Sequence, residues 1–242
     1  MSNPVFNERV FETAPIEQTG AMTVNGAINK TFLMLLLVVL SASYTWSLAT
    51  QGFMDKVVML STVGVFAGLA LAFIISFTRK SMHILAPLYA LLEGLAVGGI
   101  SVFFEGQFSG IVVQAVICTF AAMFAMLLLY KARIINCTEK FMSVIFTATL
   151  SVALIYLIQI VASFFGRSIP QIFTATPMGI GFSVLVVIIA AANLIMDFNF
   201  IERGAEEVLP KEYEWYGAFG LTVTLVWLYL EMLRLLSKVK SR

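Results

Sequence analysis

Charge is scarce in this sequence. Only 12% of its 242 residues are Asp, Glu, Lys or Arg, where an average soluble domain carries roughly 25%. There is one histidine, His83, which excludes any site that takes two imidazole ligands from this chain. There are two cysteines, Cys118 inside an apolar run and Cys137 in a short basic loop. Neither their number nor their placement suggests a disulfide framework or a metal cluster. The formal net charge is +1, and no nucleic-acid partner is expected from it. Patterns of the G-x-G-x-x-G, P-loop and His-Glu-x-x-His kinds are absent, so nucleotide and zinc-peptidase chemistry has no foothold and no cofactor is expected.

What is present is hydrocarbon. The chain is 60% hydrophobic, with a mean hydropathy of +0.95. No water-soluble core hides that much apolar surface, so lipid must be the solvent for much of it. A spanning helix needs roughly 20 apolar residues. Seven stretches qualify: Thr31 to Thr50, Val57 to Phe77, Ile84 to Phe104, Gly110 to Tyr130, Phe141 to Phe164, Met178 to Phe200, and Tyr216 to Leu236. At this length only helices satisfy their own backbone groups in hydrocarbon. The short alternating segments of a β-barrel are absent. The expectation is an all-α integral membrane protein, a multi-pass bundle of seven transmembrane helices. A polar N-terminal arm precedes it (residues 1–30), the bundle takes residues 31–236, and a basic tail follows (residues 237–242). A competing reading makes the N-terminus a signal peptide, with Phe32 to Leu40 as its apolar region and Ser41-Ala42-Ser43 near the cleavage site.

The loops set the orientation. Those on one side hold Arg79, Lys80, Lys131, Arg133, Lys140, Arg203 and Lys211, while the other side has only Lys56 and Arg167. The arm adds Arg9 and Lys30 to the first side, so the N-terminus is expected in the cytoplasm. The C-terminus conflicts with this rule. Seven spans put it outside, yet it carries Arg234, Lys238, Lys240 and Arg242. Either the last span is frustrated or it does not fully cross.

Ionisable groups inside apolar spans are the informative positions, because a carboxylate at the bilayer centre costs at least ~2.5 kcal/mol and marks ion or proton paths. Glu93 sits in the middle of the third span, beside Gly94 and Gly98. Gly64 and Gly68 form a similar small-residue pair in the second span, and both pairs read as close helix packing. Glu93 is either a protonated acid bonded to a neighbouring helix or a functional group. Asp197 ends a stripe of small and polar residues on the sixth span, Gly179, Ser183, Val186, Ala190, Asn193 and Asp197. Its bland alternative is a carboxylate reaching out to water. Glu231 lies on one face of the seventh span with Thr224, Trp227, Arg234 and Lys238. Its bland alternative is an i,i+3 ion pair with Arg234.

Two carboxyl groups brought together in a low-dielectric interior share a proton over some pH range, and a cation can replace that proton. Asp197 and Glu231 are the candidates for such a pair and for a transient Ca²⁺ site. They are 34 residues apart with their midpoint at Glu214. Antiparallel neighbours bring them together only if the helices are offset or extend beyond the membrane.

The same residues carry a resemblance. Ile195-Met196-Asp197-Phe198-Asn199 followed by Leu228-Tyr229-Leu230-Glu231 resembles the last two spans of the transmembrane Bax inhibitor motif family. Glu214 to Leu221, Trp227 to Leu236 and Ala86 to Gly94 are similar to its larger bacterial branch. The resemblance runs from the second span onward. It implies a seven-helix fold with the last helix at the centre, and a bacterial inner membrane location. It also implies a pH-sensitive calcium leak attributed to carboxylates that match Asp197 and Glu231, the latter being Asp in many relatives. Arg79 is the loose counterpart of an arginine that partners the pair in some relatives. Glu93, Asn193 and Arg234 are the expected supporting groups.

The function expected from these readings is a pH-sensitive cation (calcium) leak channel. The alternative is a non-transporting scaffold or regulator that binds a membrane-bound protease or other membrane proteins, with the arm as its contact segment. Intramembrane hydrolysis is a third class, but no glycine-flanked aspartate motif surrounds either carboxylate, so the chain is not expected to be an enzyme.

Overall fold

A computed structural model describes residues 20–78, 81–166 and 170–242. It is 85% helical. Seven long helices follow one another: α1 (Val24–Thr50), α2 (Met54–Phe77), α3 (Met82–Gln107), α4 (Ile111–Lys131), α5 (Glu139–Phe164), α7 (Pro177–Glu206) and α8 (Tyr213–Lys240). A single turn, α6 (Pro170–Phe173), interrupts the connection between α5 and α7. All seven long helices are long and apolar enough to cross a membrane.

Local chemistry sets the helix starts. Thr23, Thr138 and Thr176 each stand in extended backbone just before α1, α5 and α7. Their hydroxyls accept hydrogen bonds from the N–H groups of Gly26, Phe141 and Gly179, which satisfies orphan donors of the first turn. Pro177 follows its cap at the one place in a helix where a missing N–H costs nothing.

Most helices overrun the apolar stretches by a few residues. The largest difference is at α1, which starts at Val24 and so takes up the last seven residues of the expected polar arm. Lys30 makes this tolerable because its ammonium pairs with Glu214 of α8. Residues 1–19 lie outside the described part of the chain.

Glycines place α3 between two neighbours. A Cβ on Gly94 would lie 1.9 Å from Ser41 Oγ and 2.4 Å from the Val38 carbonyl oxygen, and one on Gly98 would lie 2.7 Å from the Ala42 carbonyl oxygen. A Cβ on Gly64 of α2 would meet the Leu92 carbonyl oxygen of α3 at 2.6 Å. These are backbone-to-backbone contacts of the kind that membrane helices use where no hydrophobic driving force separates helix from lipid.

α8 is the most enclosed helix and α5 the least. α8 packs against α1, α3, α4 and α7. α2 lies outside this group against α3 and α1, and α5 packs along α7. The outward faces carry Phe32, Phe66, Phe73 and Phe164, all largely exposed. Such a surface suits acyl chains and not water. α8 has 28 residues and is therefore about 42 Å long, enough to cross a ~30 Å core. The C-terminal charge conflict is thus not resolved by a short last helix.

Candidate functional site

Three helices, α5, α7 and α8, meet along a seam whose side chains fall into layers. The first layer lies toward the α7–α8 turn. Asp197 of α7 is buried there, 4% exposed, with the Thr224 hydroxyl of α8 beside it. Its Oδ2 is buried without a hydrogen-bond partner. One helical turn away, Asn193 donates to Thr149 Oγ1 of α5 at 2.9 Å and to the Ile189 carbonyl at 2.8 Å.

The second layer is apolar. Val152 of α5 packs with Val186 and Ile189 of α7, and Trp227 of α8 closes the cluster together with Ala148, Tyr156 and Phe182. Once the register of the three helices is set, the order of residues along each one produces this layer. Val152 lies between Thr149 and Tyr156, Ile189 and Val186 lie between Asn193 and Ser183, and Trp227 lies between Thr224 and Glu231.

The third layer is charged and hydrogen-bonded throughout. Glu231 is 1% exposed. It accepts from Arg234 Nη1 at 2.7 Å, from the Tyr156 hydroxyl at 2.9 Å and 3.0 Å through its two oxygens, and from Trp227 Nε1 at 3.3 Å. Arg234 also donates to the Tyr156 hydroxyl and lies 4.6 Å from the centroid of that ring. One turn further, Lys238 is buried with all three ammonium protons used. They go to the Ile172 carbonyl at 2.9 Å, the Gly179 carbonyl at 3.0 Å and Ser183 Oγ at 2.9 Å. Phe173 and Phe182 flank Tyr156 at 5.8 Å and 6.3 Å between ring centroids.

The end of the molecule near Asp197 is closed by two connections. Backbone of residues 20–22 runs antiparallel to residues 209–211, with Met22 N–H donating to the Leu209 carbonyl at 2.7 Å and Lys211 N–H to the Gly20 carbonyl at 3.0 Å. Glu214, 1% exposed, accepts from the Thr23 N–H at 3.0 Å, the Thr23 hydroxyl at 2.9 Å and the Lys30 ammonium. The α4–α5 loop brings Cys137 within electrostatic reach of Asp197 and Arg203. Beside that loop, Tyr130 donates to Glu202.

A sequence model of Bax inhibitor 1 like proteins matches residues 3–241. The chain belongs to the Bax inhibitor-1-like family. The family is generally one of non-enzymatic membrane proteins, and the seven apolar helices make this member a multi-pass membrane protein. No curated protein matches the chain at significant similarity.

Within this Bax inhibitor-1-like fold, the expected pair of carboxylates does not form. Asp197 faces Thr224, and Glu231 is seven residues further along α8, an axial separation of about 10 Å. The apolar layer stands between them, and each oxygen of Glu231 already has donors. The reason is register. An antiparallel hairpin with a short turn opposes Asp197 to residues near Thr224, and the helices extend at their ends without sliding. A calcium site shared by the two carboxylates is therefore absent from this arrangement. Among the described residues no group of three or more His, Cys, Asp or Glu side chains converges either.

The other expected groups divide. Asn193 joins Asp197 in the first layer, and Arg234 joins Glu231 in the third, as the i,i+3 ion pair weighed from the sequence. Glu93 belongs elsewhere: it lies over Gly68 between α2 and α3, with Tyr89 of its own helix beside it. Arg79 lies outside the described residues. Two contributors had little signal in the sequence: Tyr156 is one tyrosine in a long apolar span, and Glu214 one of several acids in the longest loop. Lys238 is on the polar face of the last span expected from its spacing, but its oxygen partners on α6 and α7 were not expected.

Proposed function

We propose that this member of the family is a pH-sensitive cation leak of the bacterial inner membrane, with calcium as the permeant ion, the N-terminus in the cytoplasm and the α5–α7–α8 seam as the path. One observation supports it most: a carboxyl group, Asp197, held inside the bundle with Oδ2 lacking any partner. A carboxylate with no counter-charge at such a depth costs several kcal/mol. A proton removes that charge, and so does a cation. With the proton in place the seam is neutral at this level, and the apolar layer of Val152, Val186, Ile189 and Trp227 excludes water as a dewetted constriction does. When the proton leaves, the charge draws water and a cation to the constriction. The groups facing Asp197 are Thr224 of α8, Asn193 of its own helix and Cys137 of the α4–α5 loop. None of these supplies a fixed positive charge. Glu231, neutralised by Arg234, is then the far-side carboxylate and not a partner in sensing.

The test is calcium flux into proteoliposomes over a range of pH, for the wild type and Asp197→Asn. Flux that rises as pH rises in the wild type, and that loses its pH dependence in the variant, is the expected result. Flux equal to that of empty liposomes at every pH would refute the leak. It would favour a scaffold that binds its partner through residues 1–19, which precede the segment Gly20 to Thr23 packed on the α7–α8 turn. Deleting residues 2–19 is expected to abolish partner binding in that case and to spare flux in the other.

A further inference from the structure

α1 and α4 flank α8 but make no extended contact with each other. Between them lies a groove of about 480 Å³ whose floor is α8, at Leu225, Val226 and Tyr229. We propose that this groove is a binding site for one acyl chain of a phospholipid from the leaflet on the side of the α1–α2 turn.

Its chemistry is graded in the way a lipid is. Along α1 the lining runs from Leu35 through Val38 and Val39 to Trp46, Ser47 and Thr50. On α1 the deep end is aliphatic, and α4 adds Phe120 and Thr119 there, the hydroxyl of Thr119 being spent on the Ala115 carbonyl. The end at the α1–α2 turn has hydroxyls and an indole, the residues that favour the membrane–water boundary. The distance along α1 from Leu35 to Thr50 is 15 residues, or about 22 Å. One leaflet with its headgroup is about 20–22 Å deep. The groove therefore spans the thickness of one leaflet, and its mouth faces sideways into hydrocarbon. An apolar space of this kind stays free of water, and the solvent that reaches it is acyl chain.

The floor carries a polar contact between helices. The Tyr229 hydroxyl and Ser101 Oγ are 2.7 Å apart and bonded to each other, and Ser101 also donates to the Val97 carbonyl. Both hydroxyls are thereby satisfied, so an apolar occupant leaves neither of them unpaired. Tyr229 and Glu231 are two residues apart on α8, which is about 200° around a helix of 3.6 residues per turn. α8 thus has lipid against one face and the charged seam on the other.

The inference depends on the membrane assignment and not on the leak. It is tested with the full chain in nanodiscs containing a phospholipid that carries a diazirine midway along one acyl chain. After irradiation, the adducts are mapped by peptide mass spectrometry. Expected is labelling of Leu225 to Tyr229, although these side chains are at most 8% exposed where they line the groove. Labelling of Phe66 and Phe73 on the outer face of α2 serves as the reference. Val116→Trp from the α4 side and Val39→Trp from the α1 side each narrow the groove at partly exposed positions. Each is expected to reduce α8 labelling at least fivefold while leaving the α2 adducts unchanged. Three results would overturn the site: no α8 adducts in the wild type above those on Ala218, which is fully enclosed; α8 adducts that neither tryptophan reduces; or protein–protein cross-links through these residues in place of lipid adducts.

Discussion

Lys238 of α8 and Ser183 of α7 are joined at 2.9 Å, ammonium to hydroxyl, and the same ammonium holds the carbonyls of Ile172 and Gly179. This staple ties the last helix to both the α6 turn and the start of α7. It also bears on the charge at the C-terminus. Arg234 is paired with Glu231, while Lys238 is buried among neutral oxygens and keeps its charge, so a counter-charge offsets one of the four terminal basic residues. Lys238, Lys240 and Arg242 still stand against the positive-inside rule. Lys238→Met is expected to leave the Ile172 carbonyl unpaired and to cost about 2 kcal/mol. In detergent this reads as a Tm lowered by about 4–8 °C. An unchanged Tm would mean that the staple carries no weight.

Glu214 holds the other end. It receives Thr23 through both backbone and hydroxyl, and Lys30 through its ammonium. Glu214→Ala removes all of these acceptors at once from a site that is 1% exposed. The expected loss is about 2–3 kcal/mol, below the ~3–5 kcal/mol typical of a fully buried pair, because the Lys30 side chain keeps 19% exposure. Limited trypsin digestion is the readout. Cleavage after Lys30 is expected to be slow in the wild type and at least tenfold faster in the variant.

The seven spans were legible because burial in lipid demands long apolar runs, and such runs cannot be confused with loops. The two stripes on the last two long helices were legible for the same reason: polar residues at 3–4 spacing have to face protein. Which members of the stripes meet was not legible. Facing helices share a period, so Asp197 is as compatible in pattern with Glu231 as with Thr224, and only the turn length and helix ends set the register. Tyr156 was out of reach for a different cause. Its helix makes few contacts, and a lone hydroxyl in an apolar run gives no direction. The glycine pairs at Gly64 and Gly94 read as packing in the sequence, and the backbone contacts they make are of that kind.

Those glycine contacts give a sharp stability prediction. A Cβ on Gly94 falls 1.9 Å from Ser41 Oγ and 2.9 Å from Val38 Cα. The hydroxyl can turn away, but the α1 backbone cannot move without dragging Ser41 and Ala42 off α3. Gly94→Ala is expected to lose more than 3 kcal/mol, beyond the usual ~1–3 kcal/mol of overpacking, and to give little folded protein by size-exclusion chromatography. Gly106→Ala is the control, since nothing lies within 4 Å of its Cβ position. It is expected to elute and melt as the wild type does.

The apolar layer makes a functional prediction. Trp227 is the largest side chain contacting Val152, Val186 and Ile189, and it donates to Glu231. Trp227→Ala empties the constriction between the two polar layers. If the layer is the barrier, calcium leak into proteoliposomes rises at least tenfold and loses much of its pH dependence. If Trp227→Phe, which refills the space without the N–H donor, leaks as much as Trp227→Ala, the bond to Glu231 and not the apolar volume is the barrier.

Cys137 reports on the α4–α5 loop near Asp197. Burial pushes its thiol up to about 11; Arg203 opposes that shift, and the Asp197 carboxylate adds to it. The thiolate is the reactive form, and below a raised value it is scarce. Alkylation of Cys137 by iodoacetamide is therefore expected to be more than tenfold slower than that of an ordinary thiol of value ~8.5 at pH 7.5. The rate should climb about tenfold per pH unit and level off only near 11. Peptide mass spectrometry separates its adduct from that of Cys118 in α4. Because the shift comes chiefly from burial by the surrounding helices, Arg203→Ala is expected to slow the reaction further and Asp197→Asn to speed it. A rate that already plateaus near pH 9 would mean that the Cys137 thiol stands open to water.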